Sequence, residues 1–68
     1  MTEQQLINKV ENLKTMYESG ELTQHEYVEL IRDMADVKNI SERLQLQGNL
    51  IKVQQIAATI QSVAGVFI

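Results

Sequence analysis

Three observations predict an all-α fold for this 68-residue chain. Apolar residues recur at steps of three and four along most of its length, the repeat of one face of a helix. Two Thr-x-x-Gln/Glu capping boxes, Thr2–Gln5 and Thr23–Glu26, mark helix starts. An apolar, nearly uncharged seam then runs from Leu46 to Phe67. Together they predict a capped antiparallel helical hairpin over residues 1–38 and a third, long apolar helix over 41–68. The expected whole is one three-helix, bundle-like domain over 1–68, and an oligomeric one.

The first helix is predicted to start at the Thr2 box. Leu6, Val10, Leu13 and Tyr17 step by four, three and four along one face, with Ile7 and Met16 beside them. Glu11, Asn12, Lys14 and Glu18 take the other side. Gly20 is expected to close the helix, because it adopts the left-handed conformation without strain. The second helix follows at once from Thr23, with Leu22 and Tyr27 spaced as a hydrophobic staple. So short a connection makes the two helices antiparallel neighbours. Tyr27, Leu30, Ile31, Met34 and Val37 form the predicted inward stripe of the second helix, which is expected to end near Lys38.

The start of the third helix has two readings. Lys38-Asn39-Ile40-Ser41 reads as a break, with Asn39 as a left-handed cap and Ser41 as the next N-cap. The alternative is a hairpin whose second arm is one continuous helix over 23–67. Gly48 costs a helix about 1 kcal/mol relative to alanine, and Asn49 follows it, so a kink or loop there is the further alternative. That turn would make the fold a pair of hairpins, with a short helix before Gly48 and an apolar one after it. At about 1.5 Å per residue, helices one and two span roughly 22–25 Å each and an unbroken third helix roughly 35–40 Å. The hairpin would leave about ten residues of it uncovered, from near Ile60 onward.

Composition narrows the function classes. A chain of this length buries only about 60% of its unfolded surface, so it is marginal alone. It holds no cysteine and one histidine, which removes disulfides and thiolate or polyhistidine metal sites as sources of stability. Residues 1–40 carry eight acids against four bases, a net of −4; residues 41–68 carry only Glu42, Arg43 and Lys52, a net of +1. Direct nucleic-acid binding needs a clustered basic face and is not expected. The N-terminus lacks the basic start and apolar core of a signal peptide, so a cytoplasmic location is expected, or a virion if the gene belongs to a phage. Residues 50–68 are long enough to raise the question of a membrane span. Lys52, three glutamines, Thr59 and Ser62 interrupt them periodically, which favours an amphipathic helix.

No catalytic constellation stands out, and no enzyme, cofactor or metal is expected. Tyr17 and Tyr27 sit on inward stripes near the hairpin turn and are expected to pack on each other. His25 lies in the first turn of helix two, where solvent is its ordinary surrounding. Glu26, Glu29, Asp33 and Asp36 follow helical spacing as a solvated face, or as an acidic patch for a basic partner. The residues expected to carry function are those of the seam: Leu46, Leu50, Val53, Ile56, Ala57, Ile60, Val63, Ala64 and Phe67. Ile51 is read as widening the same face. An apolar surface of that extent calls for burial, against other copies or a larger protein assembly. The expected function is thus a non-enzymatic interaction or oligomerisation module. The alternative is an accessory regulator of a nucleic-acid transaction, acting on a helicase, polymerase or nucleoid partner through its acidic hairpin. Membrane contact by the C-terminal helix is the third and weakest reading.

Residues 13–34, LKTMYESGELTQHEYVELIRDM, carry Leu13, Ser19, Gly20, Leu22, Thr23, Glu26, Tyr27 and Leu30 in the pattern of a short helical hairpin. In this the segment resembles the SHOCT domain, usually appended to the C-terminus of other proteins. The resemblance implies an oligomerising or partner-docking hairpin. It covers about a third of the chain, and here the hairpin comes first and an apolar seam follows it. The chain as a whole is similar in style to the short accessory proteins of tailed phages, which would make it a small structural or assembly protein.

Overall fold

The hairpin forms where its caps dictate. In a computed structural model describing residues 1–67, the Thr2 hydroxyl oxygen accepts from the Gln5 N–H at 3.2 Å, and Gln5 Oε1 accepts from the Thr2 N–H at 2.9 Å. Helix α1 (Glu3–Glu18) starts there. Gly20 at φ 87° then lets the Glu21 N–H reach back to the Met16 carbonyl at 2.9 Å, closing the last turn. The Thr23–Glu26 box repeats the device, at 3.1 Å in both directions, and opens α2 (Gln24–Met34). Both capping boxes and the Gly20 closure agree with the sequence reading.

Beyond α2 the chain departs from that reading. It breaks at Ala35–Asp36, earlier than Lys38–Ser41, and Asn39 and Ser41 lie inside a third helix, α3 (Val37–Arg43). Asp36 is its N-cap, accepting the Asn39 N–H at 3.1 Å. Asn39 turns its amide back to the Asp33 carbonyl at 3.1 Å and the Asp33 carboxylate at 3.0 Å, tying α3 to the end of α2. Geometry explains the early break. Nine residues after Ile31, Ile40 would point away from the core in a continuous helix; the turn at Asp36 swings it inward, and it is fully buried. The same turn leaves Val37, expected on the inward stripe, substantially exposed, as is Leu30.

The long third helix over 41–68 is likewise replaced, and so is the continuous alternative over 23–67. The α3 helix ends at Arg43, a loop crosses 44–49, and α4 (Leu50–Ala64) follows. Gln45 at φ 54° and Gly48 at φ 85° turn the loop, the Leu46 N–H closes on the Ser41 carbonyl at 2.9 Å, and the Asn49 side chain accepts the Lys52 N–H at 3.4 Å as N-cap. Half-buried Leu44 and Leu46 pin the loop to the core. Among the described residues there are four helices and no strand; the turn at Gly48 is the pair-of-hairpins alternative realised.

Lengths now match, since α4 has 15 residues and α1 has 16. The two run side by side in one direction. At one end Met1–Glu3 share a groove with Lys52 and Ile56; at the other Lys14 Nζ donates to the Val63 carbonyl at 3.4 Å. Helix α2 runs opposite to both, and its Tyr27 hydroxyl donates to the Ala64 carbonyl at 2.8 Å. Leu6 and Val10 of α1, Tyr27, Ile31 and Met34 of α2, Ile40 of α3, and Val53, Ile56, Ala57, Ile60 and Ala64 of α4 close one core. Of the overhang expected from Ile60 onward, Ile60 and Ala64 are buried and Val63 and Val66 pack half-buried against the core, while Phe67 stands in solvent. Ile68, read as the last residue of the apolar end, lies outside the described residues.

Candidate interaction surface

The sequence of α4, LIKVQQIAATIQSVA, places its apolar residues on more than one side. Val53, Ile56, Ala57, Ile60 and Ala64 fall on the face turned to the bundle and are buried. Leu46 and Val63 are half-buried and pack against the same core. Of the nine expected interface residues, only Leu50 and Phe67 stand out in solvent, at 57% and 84% exposure. The inner seam is therefore the third wall of the chain's own core. A helix that spends an isoleucine there gains about 1.5–3 kcal/mol from the burial of that side chain.

The face of α4 turned away from the core is also apolar or neutral, and the expected site residues omit it. Ile51, Gln55, Ala58 and Ser62 step by four, three and four, all exposed, with Ile51 at 73%. Gln54 and Thr59 flank them. The only charge on the helix is Lys52. The sequence did carry a signal for this face. Charge is almost absent from both sides of the helix, whereas the outer face of a surface helix ordinarily mixes charged with polar residues. Reading Ile51 as a broadening of the inner seam hid it, because two residues before Val53 in a helix is the opposite flank.

The end of this surface is held by two side chains from other helices. The last carbonyls of a helix lack intrahelical partners and carry partial negative charge. Tyr27 supplies a hydroxyl to Ala64 and Lys14 an ammonium to Val63. Gly65, left-handed at φ 72°, allows the Val66 N–H to close on the Gln61 carbonyl at 3.1 Å. Tyr27 is only 2% exposed, and its ring stacks on Tyr17 with centroids 4.7 Å apart and planes 3° from parallel, the pairing expected from sequence. Burial raises the Tyr27 pKa above its ordinary 10.0, and the nearby Glu18 and Tyr17 push it the same way.

The acidic row of α2 is occupied locally. Glu26 is spent on its capping box, and the Thr23 backbone and hydroxyl bonds hold its carboxyl below the usual 4.5. Asp33 receives Asn39 and lies 3.6 Å from Arg43, Asp36 caps α3, and Glu29 lies 3.2 Å from solvent-exposed His25. An open groove of about 340 Å³ runs between α1, α2 and α3, with Leu13, Leu30 and Met34 along its floor and Lys9, Asn12, Asp33 and Arg43 at its rim. Among the described residues no three His, Cys, Asp or Glu side chains converge as metal ligands, and no helix is long and apolar enough to cross a membrane. Compared with family models, with curated proteins and with solved structures, the chain matches none of them.

Proposed function

We propose that this chain is a non-enzymatic protein–protein interaction module whose working surface is the outer face of α4. The observation that carries the reading is the exposure of Ile51, at 73%, on the outer face of a helix whose sole charge is Lys52. Other faces of the molecule are charged: eight acids and four bases lie in residues 1–40. An exposed face that is uncharged, on a molecule whose other faces are charged, is suited to contact with a partner. The resemblance of residues 13–34 to a partner-docking hairpin points to the same class of function.

Magnitudes make the contact a modest one. Burying Ile51 contributes about 1.5–3 kcal/mol, less than the roughly 4–15 kcal/mol that association costs. The contacts along Gln54, Gln55, Ala58 and Thr59 must supply the difference, so the complex is weak and reversible.

The test is a photo-crosslinking amino acid placed singly at Ile51 or at Glu29, in cells producing the chain from its own gene. Discrete protein adducts at Ile51 and none at Glu29 are expected. Adducts confined to Glu29 would overturn this surface in favour of the acidic hairpin.

A further inference from the structure

The outer face of α4 is built to pair with itself in one orientation. Its central row, Ile51–Gln55–Ala58–Ser62, keeps the four-three-four spacing of a helical seam on the side away from the core. The large members lie in the first half of the row and the small ones in the second. Two such helices laid antiparallel, with the two-fold axis midway between Gln55 and Ala58, set Ile51 over the second copy's Ser62 and Gln55 over its Ala58. Every large side chain then meets a small one, and the axes approach to about 8–10 Å. A parallel pair would stack Ile51 on Ile51 and Gln55 on Gln55, and leave a gap between the alanines.

Charge selects the same arrangement. Two copies meeting through their hairpins would bring together segments of net −4 each. Meeting through α4, they bring together two rows without charge. Lys52 comes level with the second copy's Gln61–Ser62, near the carbonyl end of that helix, the pole that favours a cation and that already receives Lys14 within its own chain. The opposed helix dipoles also attract.

We propose that the occupant of this face is a second copy of the chain, packed antiparallel as an α4–α4 two-fold dimer. The proposal rests on the reading of outer α4 as an interaction surface and names its partner. A contact about one helix wide and ten to fifteen residues long falls at the low end of specific interfaces, below about 1,200 Å², so the dimer is concentration-dependent.

The chain has no cysteine, which permits a direct test of orientation. Full-length Ile51→Cys and Ser62→Cys chains, both altered at exposed positions, are mixed in equal amounts and oxidised gently after their melting is checked against the unaltered chain. Antiparallel pairing predicts a mixed disulfide well above the two-to-one excess over each homodisulfide that random collision gives. A random ratio, or homodisulfides in excess, overturns the proposal. Photo-adducts at Ile51 separate the two levels of the argument: an adduct with another protein and a random disulfide ratio would keep the surface and remove the second copy. Adducts of two chains at Ile51 with an excess of mixed disulfide support both.

Discussion

Tyr27→Phe perturbs a side chain that ties the start of α2 to the end of α4. It keeps the ring, its stack on Tyr17 and the packing, and removes only the hydroxyl that donates to Ala64 at 2.8 Å. A hydrogen bond of this kind contributes about 0.5–1.5 kcal/mol net. For a domain of this length, with about 3–5 kcal/mol to spare, that is a large share, and about 1 kcal/mol lowers the melting temperature by roughly 4–8 °C. The pH dependence adds a second signature. Burial raises the Tyr27 pKa above 10.0 in the fold, so folding favours the protonated phenol. The hydroxyl's contribution is complete below the unfolded value and is lost as pH rises through the raised one. Far-UV circular dichroism melts at neutral and alkaline pH should show the variant less stable at neutral pH. Above pH 10 the unaltered chain should lose stability faster than the variant. Equal melting temperatures at neutral pH would refute the link between α2 and α4 as a source of stability.

Gln45 holds φ 54° without the freedom of glycine, so Gln45→Gly relieves about 1–2 kcal/mol of left-handed strain against about 0.4–1 kcal/mol of added unfolded-state freedom and should stabilise slightly, while Gly48→Ala at φ 85° should destabilise by about 1–2 kcal/mol, both read by urea denaturation. The depressed Glu26 pKa places its stabilising share above 4.5, to be lost as pH falls through the lower folded value; Glu26→Gln should flatten that acid limb, and a parallel limb would count against the capping box. Ile60→Asp puts a carboxylate in a fully buried site and should abolish folding, whereas Ile51→Asp and Phe67→Asp should melt within about 0.5 kcal/mol of the unaltered chain. Cooperative unfolding of Ile60→Asp at the ordinary temperature would reject the inner seam as core.

Local chemistry was legible and long-range covering was less so. Thr2, Thr23 and Gly20 specify their caps and closure through atoms within a few residues, so reading them in order finds the hairpin. The boundary after α2 is different. Asp36 serves equally as a solvated acid or as an N-cap, and what decides is the need of Ile40, four residues on, to reach the core. Likewise Gly48 and Asn49 permit a turn, and the length match between α1 and α4 selects it. The periodicity of Val53, Ile56, Ala57, Ile60 and Ala64 marked a buried seam correctly as apolar but was silent on which chain would cover it. The chain's own hairpin does so. The outer row at Ile51, Gln55, Ala58 and Ser62 was obscured because glutamine, alanine and serine carry no strong signature, and only the absence of charge distinguishes them from an ordinary solvated face.

The central claim is that α4 is core on one side and pairs with a second copy of the chain on the other. Sedimentation of the full chain over a concentration series, beside Ala58→Arg, tests it most directly. The account predicts that the unaltered chain rises from 7.8 kDa toward twice that mass, while Ala58→Arg stays at the single-chain mass with its melting unchanged. An unaltered chain that holds the single-chain mass throughout, or an Ala58→Arg chain that associates equally well, would contradict it.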